Sequence, residues 1–328
     1  MKILTVLAFV AGALAATLIV AHFGFASVFH VLPKLGWAGF AAVLGFHLLL
    51  VLLMGTAWWL LGSDRADGRW RRYIWGRMIR DGASEVLPFS QIGGFVIGAR
   101  ATAVAGVKGS FAAASTVVDL TMELIAQLAY TALGLGLLAA ARPDISVVGP
   151  LALGLAGMTV AAIIFLFVQA RGAGLVERIG MKLAAQWLGA TLSGSSMVQV
   201  DIHEMHQHRR RLLISASVHF LSWVLSGVEA WITLHLMGVS VSLTAALVID
   251  SLIYGIRSFA FMIPNALGVQ EAAYVMLGSL FGVTPDVALA LSLIRRGRDI
   301  VLGTPVLIVW QLIEGKRAFN PVDLSSTA

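Results

Sequence analysis

The feature that most constrains this chain is a succession of apolar runs, each long enough to cross a bilayer, separated by short basic stretches. A helix needs roughly 20 apolar residues to span the hydrocarbon core at about 1.5 Å rise per residue. Runs of that order stand at about 3–23, 37–61, 111–140, 147–169, 212–237, 243–263 and 286–313. Composition agrees: 59% of residues are hydrophobic, 12% are charged and the mean hydropathy is +0.89. A soluble domain keeps about a quarter of its residues charged because its surface faces water. The reading is an all-α, polytopic transmembrane helical bundle of about seven spans, one more or fewer. A single transmembrane domain occupies 1–317, and a short tail occupies 318–328.

The net charge is +6 and the pI about 10.1, which in a soluble protein would suggest nucleic acid. Here the basic residues flank apolar runs, as the positive-inside rule describes for cytoplasmic loops, so no nucleic-acid partner is expected. The stretches 62–84 and 171–211 read as such loops and place the N-terminus inside; Lys316 and Arg317 do not fit that count. In the first stretch Arg65, Arg69, Arg71, Arg72, Arg77 and Arg80 interleave with Trp70, Tyr73, Ile74, Trp75, Met78 and Ile79. That spacing suits an amphipathic helix lying at the headgroup surface; the plainer reading is a loop. The second stretch carries a candidate amphipathic helix at about 176–188. Ala13-Leu14-Ala15 resembles a signal-peptide cleavage site, but the apolar run continues past it, so an uncleaved first helix is expected. With no cysteine, disulfides and thiolate metal sites are ruled out.

An internal repeat runs through the chain at a constant offset of 176 residues. Pro88 falls on Pro264, Gly106-Val107 on Gly282-Val283, Asp119 on Arg295 and Glu123 on Asp299. In each unit, about 84–140 and 260–315, proline and glycine interrupt an apolar stretch too short for two full spans: Pro88, Gly93 and Gly94 in the first, Pro264 and Gly268 in the second. A re-entrant helical hairpin fits, and two proline-kinked helices are the bland alternative. Broken backbone persists at membrane depth only where protein or a wet cavity satisfies it. Paired broken segments in two halves point to a transporter's binding site. Whether the halves are parallel or inverted stays open.

Charged residues also stand inside the apolar runs. Asp119 and Glu123 are one helical turn apart and share a face. Glu229, Asp250, Arg257, Glu271, Arg295 and Asp299 are the others. Each costs about 2.5–3.5 kcal/mol at the bilayer centre on insertion scales, so the set must pair internally or line a polar cavity. Asp119, Glu123, Asp250, Arg257, Glu271, Arg295 and Arg100 are the candidate cavity or gating residues. With Asp119, Glu123, Glu229, Asp250 and Glu271 set against Arg257 and Arg295, the expected cavity is acidic and suited to a cationic head group, with proton coupling as the competing use.

Other constellations carry less. His203, His206 and His208 could ligate a metal, but the adjoining Arg209–Arg211 charge disfavours a cation, so no metal site is assigned. The glycine pairs lack a phosphate-loop lysine, and no catalytic motif is present. No cofactor and no catalytic residue are expected.

Two stretches carry a family resemblance: Leu87-Pro88-Phe89-Ser90-Gln91-Ile92-Gly93-Gly94 with Arg100, and Ile263-Pro264-Asn265-Ala266-Leu267-Gly268-Val269-Gln270-Glu271-Ala272 with Gly282-Val283 and Arg295. At these residues the chain resembles the flippase-like transmembrane domain of lysylphosphatidylglycerol synthases and its stand-alone relatives, over about residues 1–315. It departs from that pattern at Phe95, where the family often has an acidic residue, and at Asn265-Ala266, where it often has more glycine. The Arg-Trp-Arg-Arg-Tyr-Ile-Trp stretch is similar to a subgroup associated with hopanoid biosynthesis. No soluble aminoacyl-transferring domain is recognised in the sequence, so the resemblance implies lipid movement between leaflets of the bacterial inner membrane. Membrane lipids are the expected partners, with a hopanoid or amine-bearing lipid as cargo. The rival readings are an integral membrane lipid-modifying enzyme and a non-catalytic assembly partner of lipid-biosynthesis enzymes.

Overall fold

The computed structural model describes residues 25–86, 91–142, 195–260 and 266–319, with residue 263 and short helical pieces between 149 and 163. They form α1 (Phe25–Leu60), α2 (Trp70–Val86), α3 (Gln91–Val104), α4 (Gly109–Ala141), α5 (Ser195–Gln207), α6 (Arg209–Leu236), α7 (Leu243–Phe259), α8 (Val269–Ser279) and α9 (Pro285–Phe319). No strand occurs among the described residues. The run at 3–23, the helix expected at 176–188 and most of the run at 147–169 lie outside them, as do Pro88 and Pro264.

Lys34–Leu60, Gly109–Ala141 and Arg209–Leu236 are long and apolar enough to cross a membrane, close to the runs read at 37–61, 111–140 and 212–237. The 17 residues of α7 cover about 26 Å, short of a full crossing. The 35-residue α9 is long enough but carries Arg295, Arg296, Arg298 and Asp299 in its middle. That helix is built inside out. It buries Arg295 and Arg298 while exposing Ile300, Val301, Ile308, Val309 and Leu312, the arrangement expected where the surrounding solvent is hydrocarbon.

Two helix boundaries fall 176 residues apart, the ends of α1 and α6 and the starts of α4 and α9, while the starts of α2 and α7 differ by 173 and those of α3 and α8 by 178. α1 ends at Leu60 and α6 at Leu236; α2 and α7 each have 17 residues; short α3 and α8 precede long α4 and α9. Between the short and long helices the Gly-Val pairs make matching turns. Gly106 N–H donates to the Ala103 carbonyl and Val107 N–H to Thr102; Gly282 donates to Ser279 and Val283 to Gly278. This is the Schellman pattern, which needs its glycine in the left-handed region, and φ is 106° at Gly106 and 76° at Gly282. Two residues on, the Lys108 and Thr284 carbonyls accept the first bonds of α4 and α9 from Ala112 and Ala288.

Two expectations change. From Trp70 on, the Arg65–Arg80 stretch is not a loop but the helix α2, with two of its arginines packed inside the bundle. α2 packs against α1, α3 and α9 and buries Tyr73, Ile74, Arg77, Ile79 and Arg80. Small residues allow it in: a Cβ on Gly82 would stand 3.1 Å from the Gly303 Cα of α9, the close backbone approach typical of helix contacts in membranes. Gly93 and Gly94, read as helix breakers, lie inside α3. A Cβ on Gly94 would meet the Arg80 carbonyl at 2.7 Å, so this glycine serves the α2–α3 contact. At the second break Gly268 stands at the N-cap of α8 with φ 79°. Ala266 is also in the left-handed region at φ 46°, at one of the positions where the family resemblance led us to expect more glycine.

One apolar core gathers Trp58, Tyr73, Val107, Phe111 and Val118 in the first half. A second gathers Leu234, Ile249, Leu252, Tyr274, Leu277 and Leu289. The loop before α2 is tied down by Asp67, whose carboxylate accepts the Lys108 N–H at 2.8 Å and pairs with Arg65 at 3.1 Å. Burial pulls the Asp67 carboxyl upward, but the Lys108 N–H and Arg65 outweigh it and hold it below the ordinary value.

Candidate functional site

Between the two cores, α1, α2, α3, α4, α6, α7 and α9 enclose a cavity of about 400 Å³, a volume typical of small-ligand sites. Its walls mix apolar side chains, among them Leu50, Met54, Phe95 and Trp223, with Arg77, Arg80, Arg257, Arg298, Asp81, Glu85, Glu123, Asp299 and His47.

The helical spacing of Asp119 and Glu123 carries through to the site. Both are buried and face α2, where Arg77 and Arg80 stand three residues apart. Arg77 grips Glu123 with two parallel bonds, at 3.0 and 2.9 Å, and its Nε donates to Asp81 at 2.8 Å. Arg80 donates to Asp119 at 2.7 Å and also to Glu123. The ring of Phe95 covers the Arg80 guanidinium at 4.4 Å, so the position where the family often has an acid here supplies a cation–π contact. Behind the cavity, His219 of α6 meets Asp119 through Nε2 at 2.9 Å.

The second half repeats the device with the charges exchanged. α7 supplies the carboxylate, Asp250, and α9 the guanidinium, Arg295, 2.5 Å apart. Tyr130 donates to Asp250 at 3.0 Å and Arg295 to the Ser226 carbonyl at 2.9 Å. Glu229 accepts from Arg298 and meets His47 Nδ1 at 2.9 Å, while Arg298 also holds Asp299 at 2.7 Å. Across the cavity Glu85 of α2 and Arg257 of α7 pair at 3.0 Å, linking the halves.

Of the candidate cavity or gating residues, Glu123 and Arg257 line the cavity, as does Asp299 among the other charges inside the apolar runs. Asp119, Asp250 and Arg295 stand one layer behind it. Glu271 belongs elsewhere: it caps α8 by accepting the Gly268 N–H at 2.8 Å and pairs with Arg296 at 2.7 Å. Arg100 bonds Glu314 through Nε at 2.7 Å, on the α3–α9 contact. His206 faces the Ile202 carbonyl within its own helix at 2.8 Å, while His203 and His208 are exposed.

The expectation of an acidic interior is overturned. Arg77, Arg80, Arg296 and Arg298 were not counted in it, and each meets a carboxylate. Among the lining residues, four arginines face four carboxylates, so the wall is charge-compensated and presents both signs. His47, Glu85, Arg77, Arg80 and Arg298 were missed. The available signals were an imidazole inside an apolar run and the three-residue spacings Arg77–Arg80 and Arg295–Arg298.

No curated protein and no solved structure matches the chain. A family model described as the lysylphosphatidylglycerol synthase TM region matches residues 3–306. With nearly the whole chain inside that match, the protein belongs to the lysylphosphatidylglycerol synthase TM region family and is an integral membrane protein of lipid metabolism or transport.

Proposed function

We propose that this protein is a flippase-like lipid transporter of the bacterial inner membrane, with its N-terminus in the cytoplasm, and not an enzyme. The observation that carries the reading is the charge-compensated cavity between two similarly built halves. A wall presenting both guanidinium and carboxylate groups suits a dipolar or zwitterionic head group better than a purely cationic one. A volume of about 400 Å³ takes a head group, leaving the apolar part of the lipid in the bilayer. The head group would exchange into the Arg77–Glu123 and Glu85–Arg257 contacts, replacing their hydrogen bonds as it enters. Among cargoes, the hopanoid-associated subgroup makes a hopanoid with a polar side chain the first to try.

The test is leaflet-resolved lipid redistribution in liposomes holding the purified protein, comparing phosphatidylethanolamine, phosphatidylglycerol and an amino-hopanoid. Redistribution of chemically unchanged lipid, lost in Glu123→Gln and Arg257→Ala, is the expected result. A new lipid species would replace the reading with an enzyme, and neither change would replace it with an assembly partner of lipid-biosynthesis enzymes.

A further inference from the structure

We propose that His47, held between Glu229 and Asp299 at the cavity wall, is a proton-binding site that drives lipid movement by exchange with protons. The proposal rests on the transporter reading and adds its energy source.

The argument begins with charge. Arg298 is a single guanidinium, yet it serves two carboxylates, Glu229 and Asp299. Arg295, one turn earlier on α9, is already engaged with Asp250. On α6 the facing charge is Glu229. From α2 and α4 the nearest lining charges, Arg77, Asp81 and Glu123, are bonded to one another. Glu85 and Arg257 pair with each other, and Arg257 also feels the Asp299 charge, so this pair adds one carboxylate and one guanidinium to the same cluster. The cluster around His47, with carboxylates Glu229, Asp299 and Glu85 against guanidiniums Arg298 and Arg257, therefore holds one carboxylate more than its guanidiniums neutralise while the imidazole is neutral.

Geometry shows where a proton goes. Nδ1 lies 2.9 Å from a Glu229 oxygen, and a carboxylate only accepts, so Nδ1 carries the hydrogen of the neutral ring. The second proton must then land on Nε2, which faces Asp299 Oδ1 at 4.0 Å. Protonation thus converts a cluster of net charge −1 to 0, with the new charge placed between the two acids. The His47 side chain is 21% exposed and lines the cavity together with Asp299, so a proton on His47 and the positive part of a head group meet at the same carboxylate, with Glu229 buried behind. They compete. With the imidazole neutral the head group's cation is held; a proton bound at Nε2 displaces it.

The exchange has a direction: lipid moves from the alkaline leaflet to the acid leaflet as protons move the other way. In proteoliposomes loaded with phosphatidylethanolamine labelled on its acyl chain, a pH gradient of two units should raise the rate toward the acid side several-fold. Reversing the gradient should reverse the preference, and a pH dye should report proton movement in proportion to lipid. In His47→Gln the ratio of rates with and without the gradient should fall to one, whatever the absolute rate. Asp299→Asn is the second variant, should the first not fold, with the same expected loss of gradient response. Lipid movement by the unaltered protein that ignores the gradient and carries no protons overturns the coupling and leaves the transporter reading standing. A variant ratio unchanged from the unaltered protein overturns the assignment to this cluster. No lipid movement under any gradient overturns both.

Discussion

Replacing Glu123 by Gln removes the carboxylate that two guanidiniums share inside the bundle, Arg77 through a bidentate pair and Arg80 through a further bond. Both arginines are at most 5% exposed at the side chain, so water does not replace the lost partner. An exposed pair of this kind is worth at most about 1 kcal/mol. Removing one member of a buried pair costs about 3–5 kcal/mol, because it strands a charge. The second figure applies here, tempered because Arg77 keeps Asp81 and Arg80 keeps Asp119. The expected loss is therefore about 3 kcal/mol, roughly two powers of ten in the folded-to-unfolded ratio. Denaturant unfolding of the purified protein in detergent micelles reads this directly. The double variant Arg77→Met with Glu123→Leu removes both charges and should recover most of that stability, since apolar replacement of a buried ion pair is often neutral or better. It should not recover lipid redistribution if the pair handles the head group. A loss below about 1 kcal/mol in Glu123→Gln would refute the buried-pair energetics. Full transport by the double variant would refute the functional role while leaving the structural one.

Gly303→Ala should loosen the α2–α9 crossing, because its Cβ would stand 2.9 Å from the Gly82 Cα, and overpacking of this kind costs about 1–3 kcal/mol in thermal or denaturant unfolding. Glu271→Gln should destabilise the protein, read by the same unfolding, through loss of the charged partner of Arg296 and a weaker cap on Gly268, with about 2 kcal/mol as the expected scale for charge-assisted bonds. Asp67→Asn should lower stability at neutral pH but not in strong acid. The Asp67 carboxyl is held below the ordinary aspartate value, so its contribution is present above the unfolded value and disappears as pH falls through the folded one; a constant deficit from pH 7 down to pH 2 would contradict the Lys108 and Arg65 contacts.

Much of the architecture could be read from residue spacing because spacing is what membranes and helices constrain. Asp119 and Glu123 at one-turn separation had to share a face, and the Gly-Val pairs at the common offset had to do the same local job in each half. The polarity of the cavity could not be read in that way. Arg77 and Arg80 follow four other arginines, so a rule that counts basic residues near apolar runs assigns them to the cytoplasmic surface. Only packing reveals that Gly76, Gly82, Gly94 and Gly98 let α2 sink between its neighbours. Glu271 shows the opposite error: its position beside a broken segment suggested contact with cargo, yet its carboxylate is spent on the Gly268 N–H and Arg296. A backbone break creates orphan donors, and the acid nearest in sequence is the natural group to satisfy them.

The depth of α2 also has a consequence for how the chain is made. Arg80 and Arg77 precede their partners Asp119 and Glu123 by 39 and 46 residues. Each arginine left unpaired at the bilayer centre would cost about 2.5–3.5 kcal/mol, so an α2 that enters lipid is expected to do so only with its partners on α4. On that expectation α2 waits at the translocon or the interface until α4 has been synthesised, and the two enter as a neutralised pair. Insertion order is therefore not chain order, and a ribosome stalled between α2 and α4 should leave α2 accessible to water-soluble labels.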